Sequence, residues 1–219
     1  MMEAPVAIDL FCGKGGWTNG LLEAGFEVYG FDIEPQPEYR GIFMQCDILH
    51  LTAKFLRGLR PSFAACSSPC EEFSVHGMKH FHPNPKHPDT GIKLFNHSRD
   101  LLEELGVPYV MENVRPAQKF VGKAVNHCGP FYLWGTGVPA IFPRDAYKVT
   151  KGIEMGNSVD VNAMTPDEVR LYRKRFSTIS MGSKSKERKA ATAKAAMIPL
   201  PVARTVAQAA IAQAIQEAA

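Results

Sequence analysis

The chain reads as an α/β protein built on a doubly wound, mostly parallel sheet. Two observations predict it. Short apolar runs alternate with helical patterns over the first half of the chain, as strands and crossover helices do in a sheet covered on both faces. The first run, Val6 to Phe11, leads into the glycine-rich turn Gly13-Lys14-Gly15-Gly16 and then into a helical stretch.

Taken in order, Val6 to Phe11 is a predicted strand and Trp17 to Ala24 a helix closed by Gly25. Glu27 to Phe31 is a second strand, ending at Asp32, and Ile42 to Cys46 a third, ending at Asp47. Leu51 to Leu59 is a helix, Phe63 to Cys66 a fourth strand, His97 to Leu105 a helix and Tyr109 to Met111 a fifth strand. Between Cys70 and Asn96 lies a stretch rich in Pro and His without period, predicted to be a loop that closes over a site. Phe131 to Trp134 is another strand, and Thr165-Pro166-Asp167-Glu168 resembles a helix start. Pro201 to Ala218 is an alanine-rich helix with Val202, Val206, Ala209 and Ile211 as its apolar candidates. In such sheets, ligands bind beyond the carboxyl ends of the strands.

With 219 residues, 45% of them hydrophobic, one domain with a real core is expected, with a small appendage. No apolar run reaches the roughly 18 residues needed to span a bilayer, and no secretory signal is visible. The five cysteines are odd in number and lie mostly in strand-like contexts, which suits reduced thiols in a cytosol-like compartment. Net charge is only +3, but Arg173, Lys174, Arg175, Lys184, Lys186, Arg188, Lys189 and Lys194 concentrate positive charge late in the chain. Such a cluster can contact phosphates, or be no more than a solvated face.

The glycine-rich turn has neither the GxGxxG spacing of dinucleotide sites nor the Lys-Ser/Thr ending of a phosphate-binding loop. Asp32 stands where a carboxylate accepts from ribose hydroxyls, and Asp47 where a side chain reaches an adenine amino group. A ribose and an adenine held without a pyrophosphate grip suggest S-adenosylmethionine. Cys70 follows Pro69 and precedes the acidic Glu71-Glu72, so its thiol is expected to face the cleft. Cys12, Cys46 and Cys128 read as inert thiols. Glu112 ends the fifth strand, and Asn113 behind it can tie loops together. His76, His80, His82 and His87 fit no compact zinc spacing, so no metal is expected.

Together these segments resemble the DNA cytosine-5 methyltransferase family. Asp9-Leu10-Phe11-Cys12-Gly13-Lys14-Gly15-Gly16-Trp17 is similar to its cofactor motif, and Pro69-Cys70-Glu71-Glu72-Phe73-Ser74 to its nucleophile motif. Glu112-Asn113-Val114, Gly91-Ile92-Lys93-Leu94-Phe95 and Ile198-Pro199-Leu200-Pro201-Val202-Ala203 follow in family order, with Gly156-Asn157-Ser158-Val159 a rival for the last of them. Glu71 departs from the family's usual Gln. The family's Gln-x-Arg-x-Arg strand has no clear match; Val125-Asn126-His127-Cys128 occupies about its place, with His127 and Arg144 open as substitutes. The family's large target-recognition insert is reduced here to about residues 135–196.

The resemblance implies the methyltransferase variant of the Rossmann-like sheet, with a catalytic core over 1–134, a reduced recognition region over 135–196 and a C-terminal helix over 197–219. It implies Cys70, Glu112 and Asn113 as catalytic residues. It implies S-adenosylmethionine held by Asp9, Phe11, Gly13, Lys14, Gly16, Asp32, Ile33, Asp47, Ile48, Pro69 and Leu94, with Gly13 and Gly16 letting backbone approach the cofactor. Ser74, His76, Lys79, Arg115, Arg144, Arg173, Lys184 and Lys186 are the candidates for holding DNA, as duplex or single strand, and a partner protein is a possible source of sequence recognition. The implied reaction is methylation of cytosine carbon 5 through a covalent cysteine adduct on a flipped base. Methylation of RNA and a non-catalytic binding subunit are the alternatives.

Overall fold

The computed structural model of the protein describes residues 4–77, 82–144, 146, 165 and 197–218. Seven strands form one sheet: β1 (Val6–Leu10), β2 (Glu27–Asp32), β3 (Ile42–Gln45), β4 (Pro61–Cys66), β5 (Tyr109–Asn113), β6 (Asn126–Cys128) and β7 (Phe131–Trp134). Their spatial order is β3-β2-β1-β4-β5-β7-β6. The first five are parallel, and β7 runs antiparallel between β5 and β6. This doubly wound, mostly parallel sheet is the one expected from the sequence. The order reverses between β1 and β4, which opens a crevice at their carboxyl ends.

Period-two alternation sends successive strand residues to opposite faces. Ala7, Val28, Phe63, Ala65, Val110 and Leu133 join one core with Trp17, Leu21, Val202 and Val206. Ile8, Leu10, Phe31, Ala64, Cys66 and Met111 join the other with Leu56, Phe95 and Leu102. The helices covering these faces are α1 (Gly16–Ala24), α2 (Ala53–Gly58), α3 (Glu71–Ser74), α4 (Asp89–Leu105), α5 (Gln118–Val121) and α6 (Leu200–Ala218).

Helix α6 lies along α1 at unusually close range. A Cβ at Gly16 would stand 2.6 Å from the Ile198 nitrogen, and one at Gly20 would stand 2.5 Å from the Ala203 carbonyl carbon. No side chain fits at either position, so glycine here serves packing between main chains. The Glu23–Arg204 pair at 2.8 Å is half-exposed and adds at most about 1 kcal/mol. The buried face of α6 is Val202, Ala203, Val206, Ala207 and Ala210. Ala209, an expected apolar contact, is exposed, because it falls off that i, i+3, i+4 stripe.

Two further expectations need correction. Helix α4 begins at Asp89 rather than His97. Gly91 does not break its first turn; it admits the Phe73 ring, 3.0 Å from where a Cβ would be. Within the stretch read as loop, Glu71–Ser74 is helical and Val75–Gly77 is a 3-10 turn. The Thr165–Glu168 helix start lies essentially outside the described residues, which include only Thr165, exposed, from that segment.

Candidate active site

The carboxyl ends of β1, β2 and β4 and the turn after β3 surround a cavity of about 520 Å³. Asp9, Phe11, Gly13, Lys14, Gly16, Asp32, Ile33, Asp47, Ile48, Pro69 and Leu94 all line it, so the structure gathers every residue suggested for the cofactor around one space. The Asp32 carboxylate accepts from the Gly13 and Glu34 backbone N–H groups, at 2.9 Å each, one on either oxygen. Each oxygen retains acceptor capacity for a ligand hydroxyl. Asp47 Oδ1 accepts from the Leu49 N–H at 2.9 Å and caps a 3-10 turn, which fixes the carboxylate at the wall. Ile33 is 60% exposed, an apolar side chain without protein cover beside two carboxylates.

The turn itself is bent by main-chain conformation. Phe11 has φ 54° and Gly13 φ 46°, both left-handed. At Phe11 that conformation costs on the order of 1 kcal/mol, the kind of strain that concentrates at ligand sites. A Cβ at Gly13 would meet nothing within 4 Å, so open space adjoins the turn there. At Gly16, which also lines the cavity, the missing side chain makes room for Ile198.

Asp9 is fully buried beneath the turn. Its Oδ2 accepts from Thr18 Oγ1 at 2.6 Å and from the Thr18 N–H at 3.2 Å, while Oδ1 has no partner among the described residues. Burial, reinforced by the nearby Asp32 charge, pushes its pKa up to about 7 despite the two Thr18 bonds. Tyr39 adds its hydroxyl to the Thr18 hydroxyl and thereby ties the β2–β3 connection into this network.

The cavity also takes Trp17 and Ile198, which belong to the motifs quoted above, and Glu34, Gln36, Ser67 and Met197, which were not singled out. Trp17 Nε1 donates to Ser67 Oγ at 2.9 Å, joining α1 to the end of β4. Ser67 was legible in principle as the residue after a strand. Met197 and Ile198 show that the segment around Ile198-Pro199 returns to the cavity; its rival, Gly156–Val159, lies outside the described residues.

Cys70 sits between two cavity-lining residues, Pro69 and Glu71, and is half-buried at the start of α3. The cavity does not include Cys70 or Glu112 themselves; they stand beside it. Glu112 is 3% exposed and lies within β5. The pairing of Cys66 with Met111 puts Glu112 level with Ser67, just ahead of the Cys70 loop. Asn113 is fully buried and its Nδ2 donates to both the main-chain oxygen and Oγ of Ser68, each at 3.1 Å. One side chain thus ties the end of β5 to the main chain that carries Cys70. Glu72 accepts from the Gly91 N–H at 2.8 Å and Phe73 is buried, anchoring the same loop from beyond. Burial pushes the Cys66 thiol up to about 12 and raises Cys12 and Cys46 as well, and Cys128 is buried.

Arg115 and Arg144 are exposed and Ser74 is half-buried, while Lys79, Arg173, Lys184 and Lys186 lie outside the described residues. His76 is not a free contact: its Nε2 meets the Lys86 main-chain oxygen at 3.0 Å and its ring packs edge-on against Phe120 at 4.8 Å. Among the described residues, no helix is long and apolar enough to cross a membrane.

No family model matches the chain. Over 126 residues it is 31% identical to a Type II methylase, M.HgiDII, of Herpetosiphon aurantiacus, a match covering 52% of this chain and 34% of that protein. The chain therefore spans only about a third of that relative's length. Among solved structures it is similar to a protein described as a DNA modification methyltransferase encoded within a prophage, from E. coli. That likeness has 25% identity and a TM-score of 0.41, covering 52% of this chain and 33% of that one. It is also similar to the S. pombe Dnmt2 methyltransferase at 19% identity and a TM-score of 0.41, covering 55% of this chain and 37% of the other.

Proposed function

We propose that this chain transfers a methyl group to carbon 5 of cytosine in DNA, with Cys70 as nucleophile and S-adenosylmethionine as donor. The observation that carries the proposal is the Asn113–Ser68 tie. It holds the Cys70 loop against the strand bearing Glu112, at the rim of a cavity whose walls suit an adenosine.

The fit to the donor rests on the wall chemistry. Asp32 and Asp47 offer acceptors for hydroxyl and amino groups, Phe11 and Ile33 offer apolar surface, and Asp9 Oδ1 is a buried acceptor lacking a donor. Bound there, S-adenosylmethionine supplies an electrophilic methyl group. Cytosine carbon 5 is a weak nucleophile, so the difficult step is divided. The Cys70 thiolate forms a bond to carbon 6, Glu112 shares or donates a proton at ring nitrogen 3, and carbon 5 becomes enamine-like. After carbon 5 is methylated, its proton leaves to a base and the bond to Cys70 sulfur breaks, restoring the ring and the thiolate. The base must leave a duplex first, at a cost of a few kcal/mol. Glu112 is suited to its part because it is buried, where a proton shared with the ring is not competed for by water.

The test is Cys70→Ala. Methyl incorporation into DNA is expected to vanish while S-adenosylmethionine binding, measured by calorimetry, persists. Full activity in that variant would remove the covalent scheme. Running duplex DNA, single-stranded DNA and transfer RNA side by side identifies the substrate form.

A further inference from the structure

We infer that His127 and Tyr132 form a stacking platform for a base of the substrate nucleic acid. The inference rests on the function proposed above and adds a substrate contact to it. The two rings lie nearly parallel, with centroids 5.0 Å apart and planes 14° from one another. His127 is exposed on β6, an outer strand of the sheet, and Tyr132 is half-buried on β7.

Register places the pair. Asn113 is directly opposite Tyr132, and Tyr132 directly opposite His127. Opposed residues project on the same face of a sheet. A row therefore runs outward from the nucleophile loop: Ser68, bonded to Asn113, then Tyr132, then His127. Two strand spacings, about 10 Å, separate Asn113 from His127, the span of a few nucleotides. Arg115, exposed just after β5, adds positive charge at the same end.

The histidine ring is set in place. Its Nδ1 lies 3.2 Å from the Gly129 main-chain oxygen, which can only accept, so Nδ1 carries the proton. Among the described residues, Nε2 has no partner. Here the surface at an outer strand presents an oriented ring backed by a second ring, in a segment with no arginine. Flat aromatic faces take any base, because every base has a π-face.

The probe is a single-stranded oligodeoxynucleotide carrying 2-aminopurine beside a cytosine, with fluorescence quenching read on binding to the full chain. His127→Ala is expected to weaken binding about tenfold and reduce the quenching. It is also expected to raise KM for DNA while leaving kcat unchanged. His127→Trp, which keeps a flat aromatic ring, restores both. Because His127 is exposed, neither variant threatens the fold. Wild-type binding of the oligonucleotide in His127→Ala, or a His127→Trp variant as weak as His127→Ala, overturns the platform. So does a wild-type chain that binds no oligonucleotide. A wild-type chain that binds and quenches but transfers no methyl group would instead overturn the proposed function and leave the platform standing.

Discussion

At the scale of single residues, Asp9 makes the sharpest commitment. Its pKa of about 7, against an ordinary 3.8, means that the folded chain binds a proton more tightly than the unfolded chain. Between about pH 4 and pH 7 the folded state therefore carries more protons, and stability falls as pH rises through that window, then levels off. Three units correspond to a few kcal/mol at most. Asp9→Asn keeps the shape and an acceptor for Thr18 while removing the titration. Thermal unfolding followed from pH 4 to 8 should lose a large part of its slope in the variant, and an unaltered slope would show that the penalty lies elsewhere. A cationic ligand group beside Oδ1 would reverse the preference for the neutral form. Ligand binding should then release protons near pH 6.5, detected by calorimetry in buffers of different ionisation enthalpy. The cavity residues were legible because chemistry-bearing side chains at strand ends converge in any doubly wound sheet. The orphaned oxygen of Asp9 was not, since only packing shows which lone pair is left without a donor.

At the scale of elements, the segment after Cys70 holds the main surprise. A run dense in Pro and His looked like one open loop, yet its described parts are drawn onto Phe120. That ring, at the start of the chain's second half on α5, meets Phe73 at 6.0 Å, His76 at 4.8 Å and His87 at 5.5 Å. The contacts join residues far apart in sequence, so no local pattern announces them. Helix α4 was shortened in the sequence reading because its first turns were counted with the Pro- and His-rich stretch, and the Phe73 ring that packs at Gly91 is a tertiary contact. Phe120→Ala should cost about 1–3 kcal/mol, less than a fully buried phenylalanine because Phe120 is half-exposed. Hydrogen exchange is the suitable probe. Amides of 71–77 and 82–88 should exchange faster while those of β1 and β4 hold. Uniform acceleration across the sheet would mean that Phe120 supports the whole fold and not this loop.

At the scale of the whole molecule, the segment leading into the C-terminal helix decides whether the cavity at the strand ends has a complete wall. The segment leading into α6 lines the cavity with Met197 and Ile198, and main-chain contacts with α1, at Gly16 for Ile198 and at Gly20 for Ala203, set its place. A side chain at Gly20 would sit 2.5 Å from Ala203 backbone, which cannot yield as a flexible side chain can. Gly20→Ala should therefore push α6 away, lower stability by roughly 2 kcal/mol or more and weaken S-adenosylmethionine binding by moving Ile198 off the wall. Gly58→Ala is the matched comparison. Its Cβ would meet nothing within 4 Å, so it should leave stability unchanged or raise it by about 0.5–1 kcal/mol. Both effects are read by thermal unfolding with and without the cofactor. If Gly20→Ala unfolds like the Gly58 variant and keeps its shift on adding cofactor, then α1 and α6 are not coupled to the cavity. The C-terminal segment would then be a surface helix that happens to end near it.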